Sequence, residues 1–308
     1  MAYDLIIIGG GPAGVAAGVY AARKKMKAAL ITDHIGGQSL VSAEVRNWIG
    51  TPAVSGLELG RRLEEHLRAQ EGIEIIDGDT AAKVVAAKGS RGFAVTTAGG
   101  RALEATALLI ATGSRRRRLD VPGGQELEGK GVVYCSTCDA PLFGGKAVAV
   151  VGGGNAGLEA AADLLPYASR VYLIELYGSL KGDAVTLEKV RNNPSVEIIL
   201  NAKVEAVVGE QLVRGLRYRP VAGGPPVEIP VDGVFVEIGI VPNSELVKEI
   251  VALNERGEII VDPKTQATSV PGIWAAGDVS DCLYRQNNVS AGDAVKAVLN
   301  ICDYIKAI

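Results

Sequence analysis

A pair of cysteines offers the clearest chemistry in this chain. The segment VVYCSTCDAPLFGGK places two residues between Cys135 and Cys138 and puts Asp139 directly after them. This spacing brings two sulfurs close together, and a helix start favours one thiolate, so the pattern predicts a redox-active dithiol. We expect Asp139 to relay a proton, with helix capping as its alternative role.

Zinc binding is the competing interpretation of a C-x-x-C pair. A structural zinc site needs a second pair of ligands. The remaining cysteines, Cys282 and Cys302, form no second C-x-x-C, and the histidines are His34 and His66. We therefore expect no metal, and we interpret Cys282 and Cys302 as inert packing thiols.

Two similar segments must position this chemistry. LIIIGGGPAG from Leu5 reappears as AVAVVGGGNAG from Ala147. Each copy joins an apolar run, G-x-G-x-x-G, an Ala-rich helix and a second apolar run, which is the strand-turn-helix-strand unit that binds a dinucleotide. The three glycines make the tight turn, admit a diphosphate and allow close helix packing, and the diphosphate rests on the helix N-terminus. These glycines are Gly9, Gly11 and Gly14 in the first copy and Gly152, Gly154 and Gly157 in the second.

An acid closes each of these units. Asp33 and Glu175 follow the second strands, where a carboxylate accepts hydrogen bonds from a ribose and repels a 2′-phosphate. The segment after Glu175 carries no Arg in the adjacent positions where a 2′-phosphate would need one. We therefore predict NADH over NADPH, the alternative being that each acid merely ends a strand.

The length of 308 residues indicates about two domains, and the repeat predicts the α/β class. Each domain is expected to be Rossmann-like, with three layers in the order β, β, α, and to carry its own β-meander. The meander strands are predicted at residues 84–87, 93–97, 108–111, 204–208, 212–218 and 227–238. Apolar runs ending at Gly113 and Asp278 predict buried strands aimed at a cofactor, although Asp278 is also compatible with a turn or N-cap. Residues 290–305 predict a closing helix.

Charge and hydropathy exclude several classes of protein. With 32 Lys and Arg against 35 Asp and Glu, the net charge of -3 indicates neither nucleic acid nor an anionic membrane as partner. The uncharged stretch 5–22 is interrupted by three glycines and Pro12 and has no basic leader, so it predicts neither a membrane span nor a signal peptide. We expect a soluble, cytoplasmic protein.

The order of the motifs resembles that of the low-molecular-weight thioredoxin reductases over essentially the whole chain. It contains GGGPAG, GGQ at 36–38, ATG at 111–113, C-x-x-C-D, a second GGGxxG and GD-x-x-D-x-x-YRQ at 277–286. The sequence is closer still to the C-terminal flavoprotein part of bacterial alkyl hydroperoxide reductase, in YCSTCDAPLFGGK, VYLIE, IGIVPN and GEIIVD.

The resemblance implies a homodimeric FAD enzyme. Residues 1–114 and 244–308 would form a discontinuous FAD-binding domain, and residues 115–243 an NAD-binding domain that carries the C-x-x-C. Electrons would pass from NADH through FAD to the disulfide and then to a thioredoxin-like, glutaredoxin-like or peroxiredoxin-system protein. In such relatives the cysteine nearer the flavin corresponds to Cys138, and Cys135 attacks the partner disulfide. A rotation between the domains would let the dithiol contact the flavin in one orientation and the acceptor disulfide in the other.

The resemblance also assigns cofactor contacts to matching positions. The FAD contacts would be Gly9, Gly11, Pro12, Ala13, Gly14, Asp33, Gly37, Gln38, Asn47, Thr112, Gly113, Asp278, Arg285 and Gln286. The NADH contacts would be Gly152, Gly154, Asn155, Ala156, Gly157, Glu175 and Gly239.

The chain departs from these relatives in ways that bear on its substrates. It lacks the HRR-x-x-x-R signature of NADPH-dependent thioredoxin reductases, and its flavin motif begins at residue 5, which predicts a separate acceptor protein. Two other functions stay open, namely a reductase fed by a donor other than a pyridine nucleotide and a non-enzymatic FAD and dithiol redox sensor. The run 115–118, four arginines, is either a docking or steering patch or a solvated strand between domains.

Overall fold

The computed structural model describes residues 2–42, 45–86 and 92–308, except for the side chain of Cys138. The chain divides into two compact units, residues 1–115 with 241–308 and residues 116–240.

The elements follow in chain order. The first segment contains β1 (Tyr3–Ile8), α1 (Pro12–Arg23), β2 (Ala28–Thr32), a 3-10 turn (Gly37–Val41), α2 (Gly56–Arg68), β3 (Ile73–Asp77), β4 (Ala81–Ala86), β5 (Phe93–Thr97), β6 (Ala102–Ile110) and β7 (Ser114–Arg116). The middle segment contains β8 (Val132–Val133), α3 (Ser136–Asp139), a 3-10 turn (Ala140–Phe143), β9 (Ala147–Val151), α4 (Asn155–Leu164), β10 (Arg170–Ile174), α5 (Ala184–Arg191), β11 (Val196–Ile199), β12 (Ala202–Gly209), β13 (Val213–Pro220), β14 (Val227–Pro230), β15 (Gly233–Val236) and β16 (Ile240–Pro242). The last segment contains β17 (Ile273–Ala275) and α6 (Asn287–Ala307).

The first unit has three layers around one sheet. Its parallel part runs β3-β2-β1-β6 with β17 against β6, and β6 continues antiparallel into the meander β5-β4. Side chains alternate across β1, so Leu5 and Ile7 pack with α1 and α6. Ile6 and Ile8 pack on the opposite face with Val84 and other meander residues.

The second unit repeats this plan with a separate meander. The parallel sheet has the order β11-β10-β9-β15-β8, and the antiparallel sheet has the order β12-β13-β14. Val148 and Val150 of β9 pack with α4 and α5, whereas Val151 packs with Val204 and Leu216 of the meander. The predicted α/β class with two Rossmann-like units is confirmed.

The prediction of one strand at residues 227–238 was wrong. This run forms β14, which ends the meander, and β15, which lies in the parallel sheet. Pro230 has no backbone N–H with which to continue the ladder, and two residues later the N–H of Asp232 donates to the carbonyl of Ala147 (2.8 Å). The sequence marks this break with Pro230 and with the turn-forming pair Asp232 and Gly233, which the prediction of a single strand passed over. The closing helix α6 extends beyond the predicted 290–305 at both ends.

Helix α6 is 21 residues long, yet no helix in the described ranges combines the length and apolar content required to cross a membrane.

Candidate functional site

The first glycine-rich turn connects β1 to α1 by a very close backbone approach. Gly9 has a φ of +117°, and a Cβ there would lie 2.2 Å from the carbonyl oxygen of Ala111. A Cβ on Gly14 would lie 1.8 Å from the carbonyl oxygen of Gly9. The helix then begins at Pro12, with Gly11 as its N-cap. The turn therefore leaves the helix N-terminus open to an anionic group.

A cavity of about 610 Å³ lies at this turn, within the first unit. This volume suits a large cofactor. Ten of the predicted FAD contacts line it, namely Gly9, Gly11, Pro12, Ala13, Asp33, Gly37, Gln38, Thr112, Gly113 and Asp278. Its wall also includes Asn287 and three residues that were not among the predicted contacts, namely Ser114, Asn243 and Ser290. Since the cavity combines an anion-binding helix end with a carboxylate and several amides, its residues fit a dinucleotide.

Hydrogen bonds fix the polar wall of this cavity. The amide of Gln38 donates to the carbonyl of Ser114 (2.5 Å), whose hydroxyl lies 3.3 Å from a carboxylate oxygen of Asp278. Asn243 and Thr112 exchange two hydrogen bonds of 2.9 and 2.7 Å. Burial raises the pKa of Asp278, so this carboxyl gains a proton more readily than an exposed one and can then donate a hydrogen bond.

The other predicted FAD contacts do not line the cavity. Gly14 lies behind the turn, and Asn47 donates to the side-chain oxygen of Gln286 (2.8 Å). Arg285 binds the buried carboxylate of Glu258 through one nitrogen, while its Nε is buried without a partner among the described residues. The sequence grouped these residues with the cavity by motif, and the structure does not place them in its wall.

The second glycine-rich turn repeats the first between β9 and α4. Gly152 has a φ of +115°, and a Cβ there would lie 2.3 Å from the carbonyl oxygen of Glu237. A Cβ on Gly157 would lie 1.7 Å from the carbonyl oxygen of Gly152. Helix α4 then begins at Asn155, with Gly154 as its N-cap and Ala156 in its first turn. This unit therefore has a second open helix end at the carboxyl edge of a parallel sheet.

Glu175 does not extend into solvent from the end of β10. Its carboxylate is buried and accepts hydrogen bonds from the N–H groups of Gly153 (2.5 Å) and Tyr177 (2.8 Å). The loop after β10 folds onto the turn, because the N–H of Lys181 donates to the carbonyl of Gly153 (2.8 Å). A carboxylate accepts about four hydrogen bonds, so about two further acceptor positions remain on Glu175. Gly239, the remaining predicted contact, has a φ of +95°.

The segment 135–139, which contains the C-x-x-C and is called the redox turn below, lies in the second unit as well. Cys135 is disulfide-bonded, and its carbonyl accepts from the N–H of Asp139 (3.1 Å), which closes the short helix α3. The side chain of Cys138 lies outside the described part of the structure. Burial raises the pKa of Asp139. Asp139 is the N-cap residue of the 3-10 turn that follows, but its side chain makes no capping hydrogen bond there. No described group of three or more His, Cys, Asp or Glu side chains is arranged to bind a metal.

The arginine run at 115–118 is largely paired with acids inside each unit. In the first unit, Arg115 binds Asn243 (2.7 Å) and Glu245 (2.6 Å). In the second unit, Arg116 binds both oxygens of the buried Glu237 (2.9 and 3.1 Å). These pairs favour the solvated-strand interpretation over a docking patch for Arg115 and Arg116.

Glu237 should make the stability of the second unit depend on pH. Burial raises its pKa from 4.5 to about 7, although Arg116 opposes the shift. A carboxyl whose pKa is raised by folding stabilises the fold fully below its unfolded pKa, and this contribution is lost as the pH rises through its folded pKa. The loss is on the order of 3 kcal/mol. We therefore expect Glu237→Gln to lose less stability than the wild type between about pH 5 and about pH 8, measured by urea unfolding.

Glu245→Gln is the matched control, since Glu245 pairs with Arg115 and its pKa is lowered by that hydrogen bond. Its contribution is constant over this pH range, so the control should keep the wild-type slope. An identical slope for Glu237→Gln and wild type would contradict the prediction.

Comparisons with known proteins agree with this geometry. Residues 3–297 match the family model of the pyridine nucleotide-disulphide oxidoreductases, and the chain belongs to that family. The predicted resemblance to the thioredoxin reductases is thereby confirmed.

Individual relatives fall into two groups. The chain is 42% identical over 305 residues to the F subunit of alkyl hydroperoxide reductase of Pseudomonas putida, a match that covers 99% of this chain but 58% of the relative. Among solved structures, thioredoxin reductase of Lactococcus lactis has a TM-score of 0.87 at 28% identity, and the match covers 99% of this chain and 100% of that one. Thioredoxin reductase of T. acidophilum has a TM-score of 0.83 at 34% identity, and the match covers 98% of both chains. The chain thus spans about three fifths of the length of the curated relatives it matches.

Proposed function

We propose that this protein transfers electrons from NADH through FAD to a Cys135–Cys138 disulfide and on to a disulfide of a separate protein. The observation that carries the proposal is the division of the sites. The large cavity lies in one unit, whereas the disulfide-bonded Cys135 and a complete second dinucleotide turn lie in the other.

In this proposal the first unit holds FAD. The helix end at Gly11 and Pro12 binds the diphosphate, Asp33 accepts from the ribose, and Asp278 lines the polar wall. When bound, FAD supplies two-electron chemistry that links a nicotinamide to a disulfide. The second unit holds NADH, with its diphosphate at the N-terminus of α4 and its adenosine ribose at Glu175.

The dithiol then reduces the acceptor by exchange. The Cys135 thiolate attacks one sulfur of the acceptor disulfide and releases the other as a thiolate. The Cys138 thiolate next displaces the acceptor from the mixed disulfide, which leaves the acceptor reduced and the Cys135–Cys138 disulfide restored. Asp139, whose pKa is raised by burial, delivers a proton to a departing thiolate.

The acceptor is proposed to be a thioredoxin-like or peroxiredoxin-system protein, on the basis of relatives whose names are thioredoxin reductase and alkyl hydroperoxide reductase. We also propose that the protein works as a cytoplasmic homodimer, as the resemblance implies. The exposed apolar side chains Ile49, Leu57, Leu283 and Tyr284 of the first unit are available for such an interface. Light scattering of the purified protein would measure its molar mass in solution, and a mass twice that of one chain is expected for the homodimer.

Anaerobic mixing tests the function. NADH should bleach the yellow flavin of the purified protein rapidly, and a thioredoxin-like disulfide added afterwards should be reduced with restoration of the colour. Bleaching without turnover would indicate a redox sensor instead, and failure of both NADH and NADPH to bleach the flavin would indicate another electron donor.

The preference for NADH should depend on Glu175. We expect Glu175→Ala to lower kcat/KM for NADH about tenfold, because ribose hydrogen bonds are lost, and to narrow the preference over NADPH about tenfold, because the repelling charge is gone. Steady-state kinetics with both nucleotides measure this. Glu188→Gln, an exposed acid on α5, is the control that should change neither value. A wild-type protein that prefers NADPH would show that the role given to Glu175 is wrong.

A further inference from the structure

Both residues between the two cysteines are held by one carboxylate. The Ser136 hydroxyl donates to Oδ2 of Asp163 (2.8 Å), and the Thr137 hydroxyl donates to the same oxygen (3.4 Å). Ser136 is buried, whereas Asp163 is exposed near the end of α4. A side chain distant in sequence therefore contacts the redox turn at both of its central residues.

The redox turn needs such an anchor. Helix α3 has four residues, too few for a helix to be stable by itself, so tertiary contacts must hold it in place. Helix α4 is a firm support, because Leu158 and Leu164 on its inner face are fully buried. The same helix begins at the second glycine-rich turn and carries Asp163 in its last turn.

We propose that Asp163 is a positioning residue that orients the redox turn and lowers the readiness of its dithiol to ionise. This rests on the proposed function of Cys135 and Cys138. Hydrogen bonds to a carboxylate are stronger than those between neutral groups, so the 2.8 Å bond from Ser136, together with the longer 3.4 Å contact from Thr137, restricts the turn. A negative charge held beside the turn also disfavours a second one, the thiolate, and therefore disfavours the reduced form.

The redox equilibrium of the dithiol tests this without NADH or an acceptor protein. The FAD-loaded wild type, Asp163→Asn and Asp163→Ala are equilibrated with mixtures of reduced and oxidised dithiothreitol, and the disulfide fraction is measured by alkylation and mass spectrometry. We expect both variants to shift the equilibrium toward the dithiol about tenfold, which is about 30 mV for this two-electron couple.

Measurements of turnover distinguish the effect of Asp163 on the orientation of the redox turn from the effect of its negative charge. Asn keeps an acceptor for both hydroxyls, so Asp163→Asn should retain protein-disulfide turnover within about threefold, whereas Asp163→Ala should lose about tenfold. In a Ser136→Ala and Thr137→Val background, Asp163→Ala should cause little further loss, because the effects of residues in one network are not additive.

Glu159→Gln is the matched control. Glu159 is an exposed acid one turn earlier on α4, and both it and Asp163 raise the pKa of Glu237, so indirect effects through Glu237 are shared. An equal redox shift in Glu159→Gln and Asp163→Asn, or no shift in either Asp163 variant, would overturn the inference. A redox shift in a protein that reduces no acceptor would contradict the proposed function and leave the role of Asp163 standing.

Discussion

Replacing either cysteine of the redox turn should abolish turnover and spare flavin reduction. We expect Cys135→Ser and Cys138→Ser each to lower acceptor reduction at least about a thousandfold, because residues that act as one unit fail together. The rate at which NADH bleaches the flavin should stay within about twofold, since that step uses neither sulfur. Stopped-flow absorbance measures the first half-reaction, and turnover with a thioredoxin-like disulfide measures the second.

The two serine variants should also differ from each other. Cys138→Ser retains the attacking thiol without its resolving partner, so it should accumulate a mixed disulfide with the acceptor, visible as a reductant-sensitive adduct. Cys135→Ser should form little of it. Cys302→Ala is the control, because Cys302 is a free, partly buried thiol and should be dispensable for turnover. Normal turnover with both cysteines of the turn changed to serine would refute the proposed function.

Replacing the last glycine of each glycine-rich turn with alanine should impair a different cofactor in each unit. In Gly14→Ala the new Cβ would lie 1.8 Å from the carbonyl oxygen of Gly9, and in Gly157→Ala 1.7 Å from that of Gly152. Neither helix can keep its place against its strand, and overpacking of this kind costs about 1–3 kcal/mol or more. We expect Gly14→Ala to retain less than about a tenth of the wild-type flavin content. The reason is that displacement of α1 disrupts the diphosphate site at the N-terminus of this helix.

Gly157→Ala should instead keep its flavin. Its kcat/KM for NADH should fall at least about tenfold, because the damaged turn lies in the other unit. Flavin absorbance per protein and steady-state kinetics measure the two effects. Gly292→Ala is the control, since no described atom outside the local backbone of α6 lies within 4 Å of its added Cβ, and a helical alanine there should stabilise α6 slightly. Loss of flavin from Gly157→Ala with retention in Gly14→Ala would reverse the assignment of cofactors to units.

Short-range patterns predicted much of this molecule. The sequence predicted the glycines of both turns, the apolar strands before them and the C-x-x-C. It could do so because a strand, a tight turn and a helix constrain residues that are neighbours in sequence. The boundary between β14 and β15 is marked by Pro230 and by Asp232 and Gly233, but these local signals do not show that the chain passes from one sheet into another.

What the amino-acid sequence determined by itself was the class of protein and the places of its two glycine-rich turns and of its C-x-x-C, because steric limits at glycines and the spacing of paired thiols are local properties. The tertiary structure alone decided that Glu175 is turned onto the backbone of Gly153, that Glu237 is buried against Arg116, and that Asp163 accepts a hydrogen bond from Ser136. These contacts join residues more than twenty positions apart, and burial, charge pairing and pKa depend on what surrounds a group in space.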